Sequence, residues 1–302
     1  VNMTTVVETQ MCSGSWDAIN FSHVPSVAHS RYKKAFGRHG TTYAEYIAKL
    51  VKGEAGVKIN ANAIFPHDVL KGRIGRYTSW SKTELDVIEA QWNALPNYIG
   101  DSNVLPMVDS SGSMTCTAGK KGDTTCLEIA ISLGLYFADK NKGKFKDTFL
   151  TFSNTPKLVN LKGSINQKID QMNTGEVANT NLNAAFNLIL KTALDNSVPQ
   201  AEMPETLVIF SDMQFDQGVK HDDSAIEMIA RKYKDAGYTL PKVVFWNLNA
   251  HDNVPVAFNK IGTALVSGFS PAIAASVLGA DPDAFTPEAM MLKAVMIDRY
   301  DL

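Results

Sequence analysis

The sequence predicts an α/β protein: a doubly wound, mostly parallel six-stranded sheet preceded by a small all-helical domain. Three observations carry this. Residues 1–100 show helical periodicity and no strand alternation. After Gly100, strand-like apolar runs alternate with helix-length segments, the pattern of a parallel sheet covered on both faces. The runs from Leu207 to Phe210 and from Val243 to Trp246 are apolar throughout, which suits strands buried on both sides. The expected domains are a helical one over 1–100 and an α/β one over 101–302.

In the helical part, Ser26 is the expected N-cap of a helix from Val27 to Phe36, ended by Gly37 or Gly40. Tyr43, Tyr46, Ile47 and Leu50 fall at i, i+3, i+4 and i+7 and share one helical face. Thr42 and Glu45 have capping-box spacing. A third helix starts near Pro66. A fourth starts at Ser81, runs through Ile88 and Trp92 to Leu95, and stops at Pro96. Short links make these helices antiparallel neighbours, with Trp16, Trp80 and Trp92 as core.

In the second part, strands are expected at 103–109, 147–153, 157–161, 206–212, 242–248 and 263–267. Helices are expected at 124–140, 163–173, 181–194, 222–236, 270–279 and 287–297. Only Asn154, Thr155 and Pro156 separate the second and third strands, so that pair is a hairpin and the edge strand antiparallel. Pro106 is a misfit, because it has no N–H to donate. Either the paired strand starts at Met107 or Pro106 lies at a bulge.

Composition is that of a soluble globular protein: 302 residues, 45% hydrophobic, 20% charged. The net charge of −2 gives no global signal for nucleic acid or membrane. Its distribution is uneven, since residues 20–80 hold 10 Lys/Arg against 3 Asp/Glu. That stretch reads as a solvated helix surface or as a set of phosphate contacts. No run approaches the roughly 20 apolar residues of a membrane span, and no basic-then-apolar leader is visible. The opening Val1-Asn2-Met3 is that of a fragment or a processed product. Cys12, Cys116 and Cys126 make no disulfide framework, which points to a reducing, cytoplasmic location. Cys116 and Cys126 flank one loop and can meet as a pair, although a reducing compartment favours two free thiols. No Cys or His spacing suggests zinc.

The chemistry concentrates in five oxygen-bearing residues. Asp109, Ser111 and Ser113 follow the first apolar strand as Asp-x-Ser-x-Ser, Thr180 opens a later helix, and Asp212 follows the strand ending at Ser211. If the two strands are parallel neighbours, Asp109 and Asp212 emerge at one edge of the sheet, where open α/β sheets bind ligands. Two carboxylates and three hydroxyls suit a small hard cation, Mg²⁺ or Mn²⁺, that keeps part of its water. Thr180 can equally cap the helix it opens, and Asp212 can be a turn residue.

With these residues so ordered, the part over 101–302 resembles a von Willebrand factor A domain with its metal-ion-dependent adhesion site. The resemblance implies that Ser111 and Ser113 ligate the metal. It implies that Thr180 adds a third hydroxyl, directly or through water, and that Asp109 and Asp212 hold metal-bound waters. One position is left for an acidic side chain of a protein partner. Ala178-Asn179 stands where the family often has Gly-Gly, and Lys120 and Lys121 lie in a long insertion. The segments Trp16–Asn20, Val24–Ala28, Arg31–Phe36 and Asn60–Pro66 resemble a helical module found before such a domain in Ro ribonucleoproteins and phage and cellular relatives. In Ro proteins a ring of helical repeats binds small structured RNAs; about a hundred residues are too few for a ring. The expected function is a non-enzymatic, metal-dependent binding module, with RNA binding by the basic helical region as the alternative. A Mg²⁺-dependent phosphoryl-transfer enzyme is a third reading. Against it, the second aspartate, a phosphate loop and a nucleophile elbow are missing from the sequence. His221 and His251 read as exposed loop residues.

Overall fold

The computed structural model describes residues 6–39, 41–74, 80–118, 124–172, 181–212, 223–249 and 263–268. The chain divides into two compact units, Val1–Pro96 with Gly163–Asp170 and Asn97–Lys162 with Gln171–Leu302.

The first unit contains α1 (Val7–Cys12), α2 (Ser26–His39), α3 (Thr41–Val51), α4 (Pro66–Val69) and α5 (Lys82–Asn93). Its core gathers Phe21, Phe36, Tyr43, Tyr46, Ile47 and Val87. The Phe21 ring meets Phe36 and Tyr43 at centroid distances of 5.2 and 4.9 Å. Periodicity therefore identified the buried face of α3. The start of α5 was read correctly; its N-cap is Ser81, whose hydroxyl accepts the Glu84 N–H while Glu84 accepts the Ser81 N–H.

Two other caps were misread. Ser26 lies inside α2, and its hydroxyl accepts the Ala63 N–H at 3.3 Å. The helix also runs on through Gly37, while Gly40 lies outside the described residues. Thr42 lies inside α3 and donates to Asp17 at 3.3 Å. A small hydroxyl residue fits a tertiary contact as well as a cap, and sequence spacing does not separate the two. Trp92 is buried as expected, but Trp16 and Trp80 are only half-buried.

The second unit carries β1 (Val104–Val108), α6 (Cys126–Lys140), β2 (Thr148–Thr151), β3 (Leu158–Asn160), α8 (Leu182–Asp195), β4 (Thr206–Ser211), α9 (Asp223–Asp235), β5 (Lys242–Asn247) and β6 (Thr263–Ser267). Between β3 and α8 lies α7 (Ile165–Met172), most of which groups with the helical unit. Among the described residues, six strands form one sheet in the order β3-β2-β1-β4-β5-β6. All neighbours are parallel except β2 and β3, the hairpin required by a link too short for a crossover; that link spans residues 152–157.

Pro106 sits in β1 opposite Val208 of β4, so β1 starts before Met107 on that side. On the other side the ladder with β2 begins only at Met107. The missing N–H is tolerated because β1 has one neighbour at that point, and no bulge is needed.

Residues of the central strands alternate between two covered faces, which is why their sequences lack polar alternation. Leu105, Met107, Leu207 and Ile209 pack with Ala185, Phe186 and Ile189 of α8 and Tyr233 of α9. On the opposite face, Phe137 of α6 meets Phe210 and Trp246 at 5.3 and 5.9 Å. Gly134 lets α6 approach β1, since a Cβ there would come within 2.3 Å of Val108 Cγ2. The expected helices at 270–279 and 287–297 lie outside the described residues.

Candidate metal centre at the carboxyl edge of the sheet

The strand order reverses between β1 and β4. From β1 the chain builds outward through β2 to β3, then returns to start β4 on the other side. Such a reversal opens a crevice at the carboxyl ends of the two strands. Asp109 and Asp212 are the residues that follow β1 and β4, and both are almost fully buried.

Asp109 is fixed by three bonds. Its N–H donates to the Phe210 carbonyl at 3.0 Å, continuing the parallel ladder. Its Oδ1 accepts the Ser111 N–H at 2.9 Å, which bends the chain into the Asp-Ser-Ser-Gly-Ser turn. Its Oδ2 accepts the Ser211 hydroxyl at 2.8 Å. Burial pushes the Asp109 carboxyl above the usual carboxylate range, and the Asp212 charge adds to this against the hydrogen bonds from Ser111 and Ser211. Two buried carboxylates that sense each other call for a proton or a cation.

A short 3-10 turn over Gly112–Thr115 carries Ser113 back toward Ser111. Their hydroxyl oxygens lie 3.0 Å apart. Adjacent ligands of an octahedral ion with bonds of about 2.1 Å are separated by roughly 3.0 Å, so the two hydroxyls already have the spacing of one octahedral edge. With both Asp109 oxygens engaged by protein donors, its fitting role is charge and orientation at one remove. The donor set is oxygen only, the preference of Mg²⁺ or Mn²⁺. Among the described residues no cluster of three or more His, Cys, Asp or Glu forms a competing site.

Four of the five expected residues therefore lie at or beside one sheet edge: Asp109, Ser111, Ser113 and Asp212. Thr180 lies outside the described residues, as do Lys120, Lys121, His221 and His251. Asn181, next after Thr180, donates its N–H to the Ser153 carbonyl at 3.4 Å, at the end of β2. The cap of α8 is Asn181, whose side chain accepts the Ala184 N–H, so that role does not fall to Thr180.

Sequence reasoning passed over two hydroxyls here. Ser211 braces Asp109 from the neighbouring strand, and its place just before Asp212 was the available signal. Ser153 is buried just past β2, its Oγ without a hydrogen-bond partner among the described residues; a lone serine after a strand gives no signal of its own.

The cysteines meet beside this edge. Thr117 and Thr125 form an antiparallel bridge, flanked by bonds from the Ala118 N–H to the Thr124 carbonyl and from the Cys126 N–H to the Cys116 carbonyl, both 2.9 Å. Cys116 Sγ lies 3.4 Å from Cys126 Sγ, and the Cys126 thiol donates to the Leu248 carbonyl at 3.5 Å. Cys126 opens α6, where a helix N-terminus favours a thiolate. Burial wins instead and, with the neighbouring Cys116 and the Asp212 charge, pushes this thiol up to about 12.

This topology, with its polar switch-point edge and an accompanying helical unit, is an α/β fold like that of a solved Ro protein. The chain belongs to the family described as "Domain of unknown function (DUF7788)", which matches residues 103–294. "Domain of unknown function (DUF2828)" matches residues 2–105. A curated relative, "Uncharacterized protein L728" of Acanthamoeba polyphaga mimivirus, is 33% identical over 310 residues, which cover 95% of this chain and 51% of that protein. The crystal structure of the Deinococcus radiodurans RO (RSR) protein superposes with a TM-score of 0.51 at 17% identity, over 84% of this chain and 53% of that one. The SpRpn10 VWA domain gives a TM-score of 0.35 at 13% identity, over 60% of this chain and 95% of that one. The chain thus spans about half the length of the curated relative and of the RO protein.

Proposed function

We propose that this chain is a non-enzymatic binding module that holds Mg²⁺ or Mn²⁺ at Asp109, Ser111, Ser113, Thr180 and Asp212 and takes an acidic residue of a protein partner there. The observation that carries the reading is the 3.0 Å pair of serine hydroxyls set beside two buried carboxylates. A divalent ion in this place supplies an electrophilic position for an incoming carboxylate. Ser111 and Ser113 offer hydroxyl oxygens, while Asp109, held by Ser111 and Ser211, orients water and balances charge. Calorimetry of the full chain with MnCl₂ alone tests the metal half: one binding event is expected, lost in Asp109→Ala. Heats unchanged by that substitution remove the basis of the reading. A phosphatase and nuclease screen with Mg²⁺ or Mn²⁺ tests the non-enzymatic half; activity that vanishes in Asp109→Ala overturns it. A cytoplasmic location belongs to this reading, on the ground that three cysteines make no disulfide framework for a chain this long.

A second reading, RNA binding by the helical unit, is favoured by one cleft. About 400 Å³ in volume, it is lined by Arg31, Lys33, Lys34, Lys71, Asp68 and Trp80, among others. The Lys33 and Lys34 ammoniums stand 5.5 and 4.8 Å from the Trp80 ring centroid. Four cations against one carboxylate suit a phosphate backbone. RNA affinity should fall steeply with salt, and a flat salt dependence counts against the reading. Arg38 and Arg73 belong to the same basic stretch, and Arg73 is engaged by Asp170 at 2.8 Å. Arg76 lies outside the described residues. No described helix is long and apolar enough to cross a membrane.

A further inference from the structure

We propose that Cys116 and Cys126 form a thiol–disulfide exchange site that reacts with small-molecule disulfides and closes to an intramolecular disulfide without rearrangement of the fold. The geometry carries this independently of the metal reading. The bridge at Thr117 and Thr125, with the Cys126 N–H on the Cys116 carbonyl, sets the two cysteines directly opposite each other. Opposed residues that share such a bond have Cα atoms about 5.5 Å apart, inside the range of roughly 4.4–6.8 Å that a disulfide spans. The sulfurs are already in contact at 3.4 Å, so rotation about the two side chains brings them to bonding distance.

The two thiols have unequal access, and this sets their order of reaction. Cys116 is half-buried and reaches solvent; Cys126 has 0% exposure. The Cys116 thiolate attacks one sulfur of an external disulfide, forms a mixed disulfide and expels one thiolate. Cys126 then gives up its proton to water or to the expelled thiolate and attacks the Cys116 sulfur. The Cys116–Cys126 bond forms and the second external thiol leaves. The protein loses two electrons and two protons, and the reagent disulfide becomes two thiols. Cys12, exposed in the other unit, has no such neighbour among the described residues and stops at the mixed disulfide.

The experiment uses the reduced full chain carrying Cys12→Ser, incubated with oxidised glutathione under native conditions, acid-quenched and weighed by mass spectrometry. The expected product has lost two hydrogens, retains no glutathione and maps to a Cys116–Cys126 crosslink. It should exceed the glutathione adduct by at least about tenfold, because the second thiol is held in contact. Cys126→Ser should instead accumulate the adduct on Cys116. A stable adduct on Cys116 in the parent, with Cys126 still free, overturns the proposal. So does a crosslink that appears only after denaturation. Should Cys126→Ser fail to fold, the ratio measured in the parent decides.

Discussion

Lowering the pH from 8 to 5 should destabilise the helical unit through one buried imidazole. His29 has 0% exposure. Its Nε2 lies 3.0 Å from the Tyr43 hydroxyl, and its Nδ1 has no hydrogen-bond partner among the described residues. A second ring proton would thus have no acceptor, and the Lys33 ammonium lies nearby. Burial first, and the Lys33 charge second, push His29 down from 6.5 to about 4. The sign follows: with the folded value depressed, stability is complete above pH 6.5 and is lost as the unfolded chain protonates first, until about pH 4. The full loss is about 3 kcal/mol, of which about 2 kcal/mol is gone at pH 5. For a unit of this size that lowers the melting temperature by about 8–16 °C. Trp16, Trp80 and Trp92 lie in the helical unit and Trp246 in the other. Fluorescence melts of Trp246→Phe therefore report on the helical unit, and His29→Gln in that background supplies the control that cannot charge. If parent and His29→Gln lose equal stability between pH 8 and 5, the reasoning is wrong.

Gly134→Ala should lower the melting temperature of the α/β unit. The new methyl comes within 2.3 Å of Val108 Cγ2 and 3.1 Å of Met172 Cε, and overpacking of about 1–3 kcal/mol outweighs the roughly 1 kcal/mol that alanine adds to a helix; a higher melting temperature would contradict the close approach. Asp109→Asn can keep the bonds to Ser111 and Ser211 while removing a charge that burial opposes, so the metal-free protein should be more stable near neutral pH. Because the folded value of Asp109 is raised, the parent loses that stability as pH climbs through the folded value. The same variant should lose the Mg²⁺-dependent stabilisation, about 2.7 kcal/mol at a hundredfold excess over Kd, in thermal shifts with and without MgCl₂. Lys33→Gln with Lys34→Gln should reduce the slope of log affinity against log salt for a short RNA by roughly 1–2; an unchanged slope would place any RNA contact elsewhere.

The sheet was legible because its cause is local. Leu207–Phe210 and Val243–Trp246 are continuous apolar runs, and a strand buried on both faces needs nothing else. The antiparallel edge followed from a link too short for a crossover. The misread caps have the opposite origin: Ser26 and Thr42 serve Ala63 and Asp17, partners 37 and 25 residues distant that no local pattern records. Pro106 was ambiguous because a single sequence does not tell on which side of β1 the neighbour begins late. At the site, Asp109 and Asp212 were readable from their places after strands. Ser211 was not, because it depends on register, Val108 opposite Phe210; that Cys116 and Cys126 can meet was readable from the loop they flank, but the pairing of Thr117 with Thr125 that brings them together was not.

Leu248 joins features that the chain keeps far apart. Its N–H donates to the Ser211 carbonyl at 3.0 Å, while its own carbonyl accepts the Cys126 thiol. Ser211 in turn holds Asp109. The rim thus runs as one tether, from the carboxylate after β1, across β4, to the tip of β5 and back to the first turn of α6. Removing a thiol proton at one end slackens the grip on Leu248, whose backbone steadies the serine that steadies the carboxylate. Substitutions at Cys126 and Ser211 should therefore be non-additive, behaving as damage to one cable rather than to two separate bolts.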